Sequence, residues 1–81
     1  MMKRDEALAW LAGIFEEPVE AMTPDRPRDE IAGWDSLGVL TLMADLDEKF
    51  DIQLDEKAAS AMTHVRDLLA LLESRNAVEK A

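Results

Sequence analysis

Apolar residues recur along this chain at two spacings, and the clearer one is helical. Between Asp35 and Phe50 the run reads DSLGVLTLMADLDEKF. At about 100° per residue, Val39, Leu42, Met43, Leu46 and Phe50 fall on one face and predict a core-facing helix over 36–50. Leu37, Leu40, Thr41, Ala44 and Glu48 fall on the opposite face, where an ordinary surface helix carries only polar groups. Either the core face of this helix is unusually wide, or Leu37, Leu40 and Ala44 form a second apolar strip that meets a partner. Asp35 is suited to cap the first free N–H groups of the helix.

The rest of the pattern predicts two further main helices and a short one. Leu8, Leu11, Ala12 and Phe15, widened by Trp10 and Ile14, give a helix over 4–16 with Asp5 as its N-cap. Pro18 ends it, because a proline disfavours helical geometry in the preceding residue. The segment 17–34 contains Pro18, Pro24, Pro27 and Gly33 and predicts a long irregular connection. Val19, Met22 and Ile31 are its candidate anchors. Ile52 and Leu54 alternate inward in an extended stretch, and residues 56–61 suit a short helix. A last helix over 64–74 carries Val65, Leu68, Leu69 and Leu72 on one face, with Thr63 as its cap. Residues 76–81 predict a frayed tail. No pair of strands with hairpin chemistry is present. The expected fold is all-α: a small bundle of three main helices plus one short helix, with a long loop between the first two. The expected organisation is one free-standing domain over 1–81, folded from about residue 4 to residue 75.

Composition narrows the function. A chain of 81 residues buries only about 60–65% of its unfolded surface, which leaves little room for a catalytic cleft beside the core. There is no cysteine, hence no disulfide and no thiolate metal site, as expected of a cytoplasmic protein. The first ten residues lack the apolar run of a signal peptide or membrane span. Nine Lys+Arg against 18 Asp+Glu give a net charge of −9, which makes phosphate-rich nucleic acids poor partners, so none is expected, and favours basic protein surfaces. Residues 35–56 hold seven of the acids and one base, Lys49, for a net −6. The run through Asp45, Asp47, Glu48, Asp51, Asp55 and Glu56 has neither the glycine nor the ligand spacing of a calcium loop. It reads as a solvated acidic face. The methionines read as core filler and His64 as a surface or loop histidine.

Ser36 is the candidate for chemistry. As a plain helix-start serine it needs no further explanation. As a site it is an attachment point, because a helix N-terminus favours an attached phosphate. It lacks the neighbouring base and oxyanion hole of a catalytic serine, since the chain's one histidine is unsupported.

Asp35-Ser36-Leu37, followed by Leu42, Leu46, Phe50-Asp51 and Leu54, then Met62-Thr63 and Val65, resembles the acyl carrier protein family. The resemblance extends over nearly the whole chain, including the long first loop. It implies that Ser36 carries a 4'-phosphopantetheine arm, loaded from coenzyme A by a phosphopantetheinyl transferase, whose thiol holds an acyl group as a thioester. It further implies that Asp35 is the motif's acid. Leu37, Leu40 and Ala44, with Thr41 beside them, would form the partner-facing strip, and Asp47 and Glu48 its acidic end. The expected partners are acyl-loading or condensing enzymes with basic docking patches, and the expected state is a monomer with no catalysis of its own, no metal and no membrane insertion. Gly38 and Thr41 stand where carriers of fatty-acid synthesis are commonly acidic, and Asp55 stands where a proline is common. Trp34 before the motif resembles carriers of polyketide or nonribosomal peptide assembly. These departures point to a specialised, polyketide or fatty-acid-like pathway. A peptidyl or aminoacyl carrier is the neighbouring alternative, and an acidic interaction module without an arm is the alternative of another class.

Overall fold

The computed structural model describes residues 1–79, and within them the chain forms four helices: α1 (Arg4–Phe15), α2 (Ser36–Phe50), α3 (Glu56–Ser60) and α4 (Val65–Ser74). The fold is a small all-α bundle, and among the described residues no strand forms, only two isolated bridges. The periodicity of α2 and α4 translates directly into burial. Leu42 and Leu46 from α2, and Val65, Leu68, Leu69 and Leu72 from α4, lie in one core with Leu11, Ala12 and Phe15 of α1. Val39, Met43 and Phe50 pack at its edge. Ile52 and Leu54 are buried in the connection to α3. Trp10 spans a margin of the core. Its ring meets Phe50 edge-on at 5.5 Å, and its Nε1 donates to Asp45 at 3.2 Å.

The long first loop is held by backbone as much as by side chains. It includes two single 3-10 turns, Val19–Ala21 and Arg28–Glu30. The first N–H groups of a helix have no partner within it, and the loop supplies two for α4: Val65 N donates to Arg26 O (3.1 Å) and Arg66 N to Pro24 O (2.8 Å). Arg28 N returns a bond to Thr63 O (2.8 Å). The Arg26 guanidinium ties the loop to itself, through Glu17 at 2.6 Å and the carbonyls of Ala21 and Glu30. Met22 and Ile31 are buried as expected, but Val19 is 48% exposed and pins nothing; the Arg26 hub does that work.

Four local expectations need correction. α1 is capped at Lys3, not Asp5, because Glu6 reaches back to accept from Lys3 N at 2.8 Å; the helix stops at Phe15, where Glu16 turns left-handed (φ 56°). α3 ends at Ser60, one residue early, and Asp55 caps it by accepting from Ala58 N at 2.7 Å. α4 begins at Val65 with His64 as N-cap, while Thr63 instead bonds forward to Asp67. The tail is not frayed over 76–79. Ala77 and Val78 are buried, Met2 N donates to Ala77 O and Glu79 N to Met2 O, both at 2.9 Å. Two chain ends far apart in sequence thus close against each other, which local pattern does not reveal. The last two residues of the expected tail lie outside the described residues.

Asp67 carries the electrostatics of the α4 start. The N–H groups of Thr63 and His64 donate to its carboxylate (2.9 and 3.0 Å). The Thr63 N–H contributes most to holding its pKa below the ordinary 3.8, against a partial desolvation that opposes it. A carboxyl whose folded pKa is depressed stabilises the fold above its unfolded pKa, and that contribution is lost as pH falls through the folded value. Asp67→Asn is therefore expected to lower the urea midpoint at neutral pH, and the gap to wild type to narrow as the pH falls through the lowered pKa of Asp67. A pH-independent gap would contradict this assignment.

Candidate functional site

Ser36 stands exposed as the first residue of α2. Its position is set by the groups around it. Asp35 is the N-cap, accepting from Gly38 N at 2.9 Å through its carboxylate and from Val39 N at 2.9 Å through its carbonyl. Trp34 turns the other way, into the core, where it stacks on Phe15 at 5.2 Å with the rings 14° from parallel. Trp34 is thus a packing residue here. Inward positions 38, 42 and 46 and the outward serine are two consequences of one helical phase.

Two glycines let the backbone come close enough to fix that phase. A side chain at Gly33 would collide with the Phe15 carbonyl at the end of α1, and one at Gly38 would collide with the Gly33 carbonyl. The missing acid at position 38 follows from this. Gly38 is buried against the loop backbone and has no room for a carboxylate. Thr41 is different: it is exposed, and its hydroxyl donates to Leu37 O at 3.0 Å.

The outward face of α2 begins beside the serine. Leu37 is 73% exposed and Leu40 62% exposed, among the few large apolar residues in the open. Thr41, Ala44, Asp47 and Glu48 continue the same exposed surface. The wide-core alternative for Leu37, Leu40 and Ala44 is therefore excluded, and the face passes from apolar near Ser36 to acidic about three turns on. Asp45 departs from the solvated acidic face, being half-buried under Trp10.

Two grooves open near Ser36. One, of about 260 Å³, is lined by Ser36, Val39, Leu40 and Met43 of α2, by Glu56 of α3 and by Arg28 of the loop. Arg28 also borders a second groove of about 620 Å³, walled by Ile31, Trp34, Met62 and His64. Sequence periodicity had no means of finding Arg28, because it lies in the irregular loop. Among the described residues no polar or charged side chain is buried, and no three potential metal ligands converge.

An all-α domain that presents one serine at a helix start, flanked by an exposed apolar strip and an open groove, has the form of a carrier domain. The comparisons with known proteins agree. The family described as phosphopantetheine attachment site matches residues 6–72. An acyl carrier protein from Exiguobacterium sp. (strain AT1b) is 32% identical over 57 residues, covering 70% of this chain and 72% of that protein. The chain belongs to the acyl carrier protein family of phosphopantetheine-attachment domains. It is a carrier and not an enzyme, its prosthetic group is a covalently attached 4'-phosphopantetheine, and its role brings it to a phosphopantetheinyl transferase and to acyl-handling enzymes. The site fits that group: the hydroxyl is accessible, it stands where a helix leaves N–H groups unpaired, and a groove runs beside it.

The two α2 and α1 glycines make opposite predictions. Replacing a helical glycine by alanine gains about 0.5–1 kcal/mol where space allows. Gly13 in α1 has open space around it, so Gly13→Ala should raise stability by about that amount. At Gly38 the new methyl meets a backbone carbonyl that cannot rotate away, and overpacking costs about 1–3 kcal/mol, so Gly38→Ala should be destabilising. Urea midpoints of both variants check this; a stabilised Gly38→Ala would mean the α2 start is not held by the Gly33 contact.

Proposed function

We propose that Ser36 is the residue to which the phosphopantetheine is attached, and that this carrier serves a specialised acyl pathway of polyketide or fatty-acid-like type in the cytoplasm. The observation that carries the reading is the exposure of Ser36 at the capped start of α2, directly beside Leu37 and Leu40. When attached, the arm supplies a terminal thiol on which acyl cargo is held as a thioester. This chain's residues do the rest. Asp35 holds the first turn of α2 in shape by taking the Gly38 N–H. A phosphate ester on Ser36 would gain from the positive end of the helix dipole, worth about 0.3–1 kcal/mol at an exposed terminus.

The docking surface is the outward face of α2. Leu37, Leu40, Thr41 and Ala44 supply a small apolar contact, and Asp47 and Glu48 supply charge for partners with basic patches. Charge of this kind raises encounter rate and fixes orientation more than it adds affinity, and small interfaces are transient. A carrier that must leave each enzyme for the next is served by both properties, and by working as a monomer. The specialised pathway is supported by the N-terminal half of this face, which offers Leu37, Leu40 and Thr41 but no acid after Asp35 until Asp45. A partner must read it by apolar contact first.

Ser36→Ala is expected to fold as wild type and to gain no mass when incubated with coenzyme A and a promiscuous transferase, while wild type gains one arm. A mass gain on Ser36→Ala overturns the attachment site. Leu37→Asp and Leu40→Asp, being surface changes, should alter stability by no more than about 0.5 kcal/mol yet slow turnover by a partner enzyme. Loss of the helical circular-dichroism signal in these variants would instead make Leu37 and Leu40 structural.

A further inference from the structure

Attaching a phosphodiester at Ser36 adds an anion to a chain that is already acidic. Asp35 is its immediate neighbour, and residues 35–56 carry a net −6. Among the residues lining the groove beside Ser36, one is a base, Arg28. Arg4 and Arg26 are committed to ion pairs, with Glu73 at 2.7 Å and Glu17 at 2.6 Å. Among the described residues no acid, Glu56 across the same groove included, comes within 4.0 Å of Arg28 to pair with it. Lys3, Lys49, Lys57, Arg66 and Arg75 also form no ion pair among the described residues, but of these bases Arg28 alone lines a groove with Ser36. What holds Arg28 is its backbone and stem. Its N–H donates to Thr63 O at 2.8 Å, Nε lies 3.4 Å from Trp34 O, and the guanidinium sits over the Trp34 ring at 5.5 Å. The terminal Nη groups make no hydrogen bond among the described residues.

We propose that Arg28 is a positioning residue for the arm: its guanidinium takes the phosphodiester esterified to Ser36 and sets the direction in which the arm leaves the helix. This rests on Ser36 being the attachment residue. Three features support it. A guanidinium presents a planar fork that matches two phosphate oxygens, which a lysine ammonium cannot do. Stacking on Trp34 fixes the stem in advance, so little side-chain freedom is lost on pairing. And Arg28 borders both grooves, so a phosphate held there leaves the rest of the arm facing the larger one, walled by Ile31, Trp34 and Met62.

The test compares apo and arm-loaded protein by NMR, with intact mass establishing one arm per molecule. In wild type the Arg28 Nε–H signal should move on loading, while those of Arg26 and Arg66 stay in place. The phosphorus signal of loaded Arg28→Gln should differ from wild type, with Arg28→Lys between them, and high salt should narrow the differences, since a partly exposed pair is screened. Matching circular-dichroism spectra of the apo forms separate this from a loss of the Trp34 contact. If the arm loads on Ser36 and neither the Arg28 Nε–H nor the phosphorus signal responds, Arg28 does not hold the phosphate and only this inference falls. If no arm loads on Ser36, the attachment site falls and this inference with it. The wild-type apo and loaded comparison decides the matter even if a variant does not fold.

Discussion

One backbone contact governs the site. The end of α1, the turn before α2 and the first turn of α2 lie directly on one another, Phe15 carbonyl on Gly33 and Gly33 carbonyl on Gly38, with no side chain between. Atoms this close leave little freedom for α2 to rotate about its axis. Once Gly38 faces the loop, Leu42 and Leu46 must face the core, and Ser36, Leu37 and Leu40 must face out. The Phe15–Trp34 stack and the Asp35 cap reinforce the same geometry from either side. Exposure of the serine is thus produced by packing on the opposite side of the helix.

The same packing divides labour between the faces of α2. The inner face is an ordinary core stripe. The outer face leaves large apolar side chains in water, which costs stability, since burying a leucine is worth about 1.5–3 kcal/mol, and in a domain of this size that is a large forfeited sum. The proposed docking role gives that exposure a use. On the proposed reading, the acids farther along the helix, Asp47 and Glu48, act at longer range than the apolar contact and guide an approaching basic partner.

Much of this was legible in the sequence, for identifiable reasons. α2 spans Ser36–Phe50 as its periodicity predicts, because a strong cap and a regular apolar stripe agree on the same start and phase. The core of α4 is readable from its apolar stripe alone, while its start and its cap lie one residue from where the sequence puts them. Both are local signals. What escaped was non-local. The Met2–Ala77–Glu79 backbone bonds join the two ends of the chain. The loop carbonyls of Pro24 and Arg26 close the start of α4. Arg28 is placed beside Ser36 by the tertiary path of a proline-rich loop. Gly38 reads in the sequence as a missing acid, whereas its cause, the carbonyl of Gly33, is visible only in three dimensions. Trp34 resembled a pathway marker and is accounted for by Phe15.

The central claim is that one particular oxygen, exposed by that backbone contact, bears the arm. Trypsin cleavage after Arg28 and Lys49 isolates residues 29–49, a peptide whose two hydroxyls are Ser36 and Thr41. Tandem mass spectrometry of this peptide from arm-loaded protein should find the added mass in it, with fragment ions placing it on Ser36. An added mass on Thr41, or on any peptide outside residues 29–49, would contradict the account.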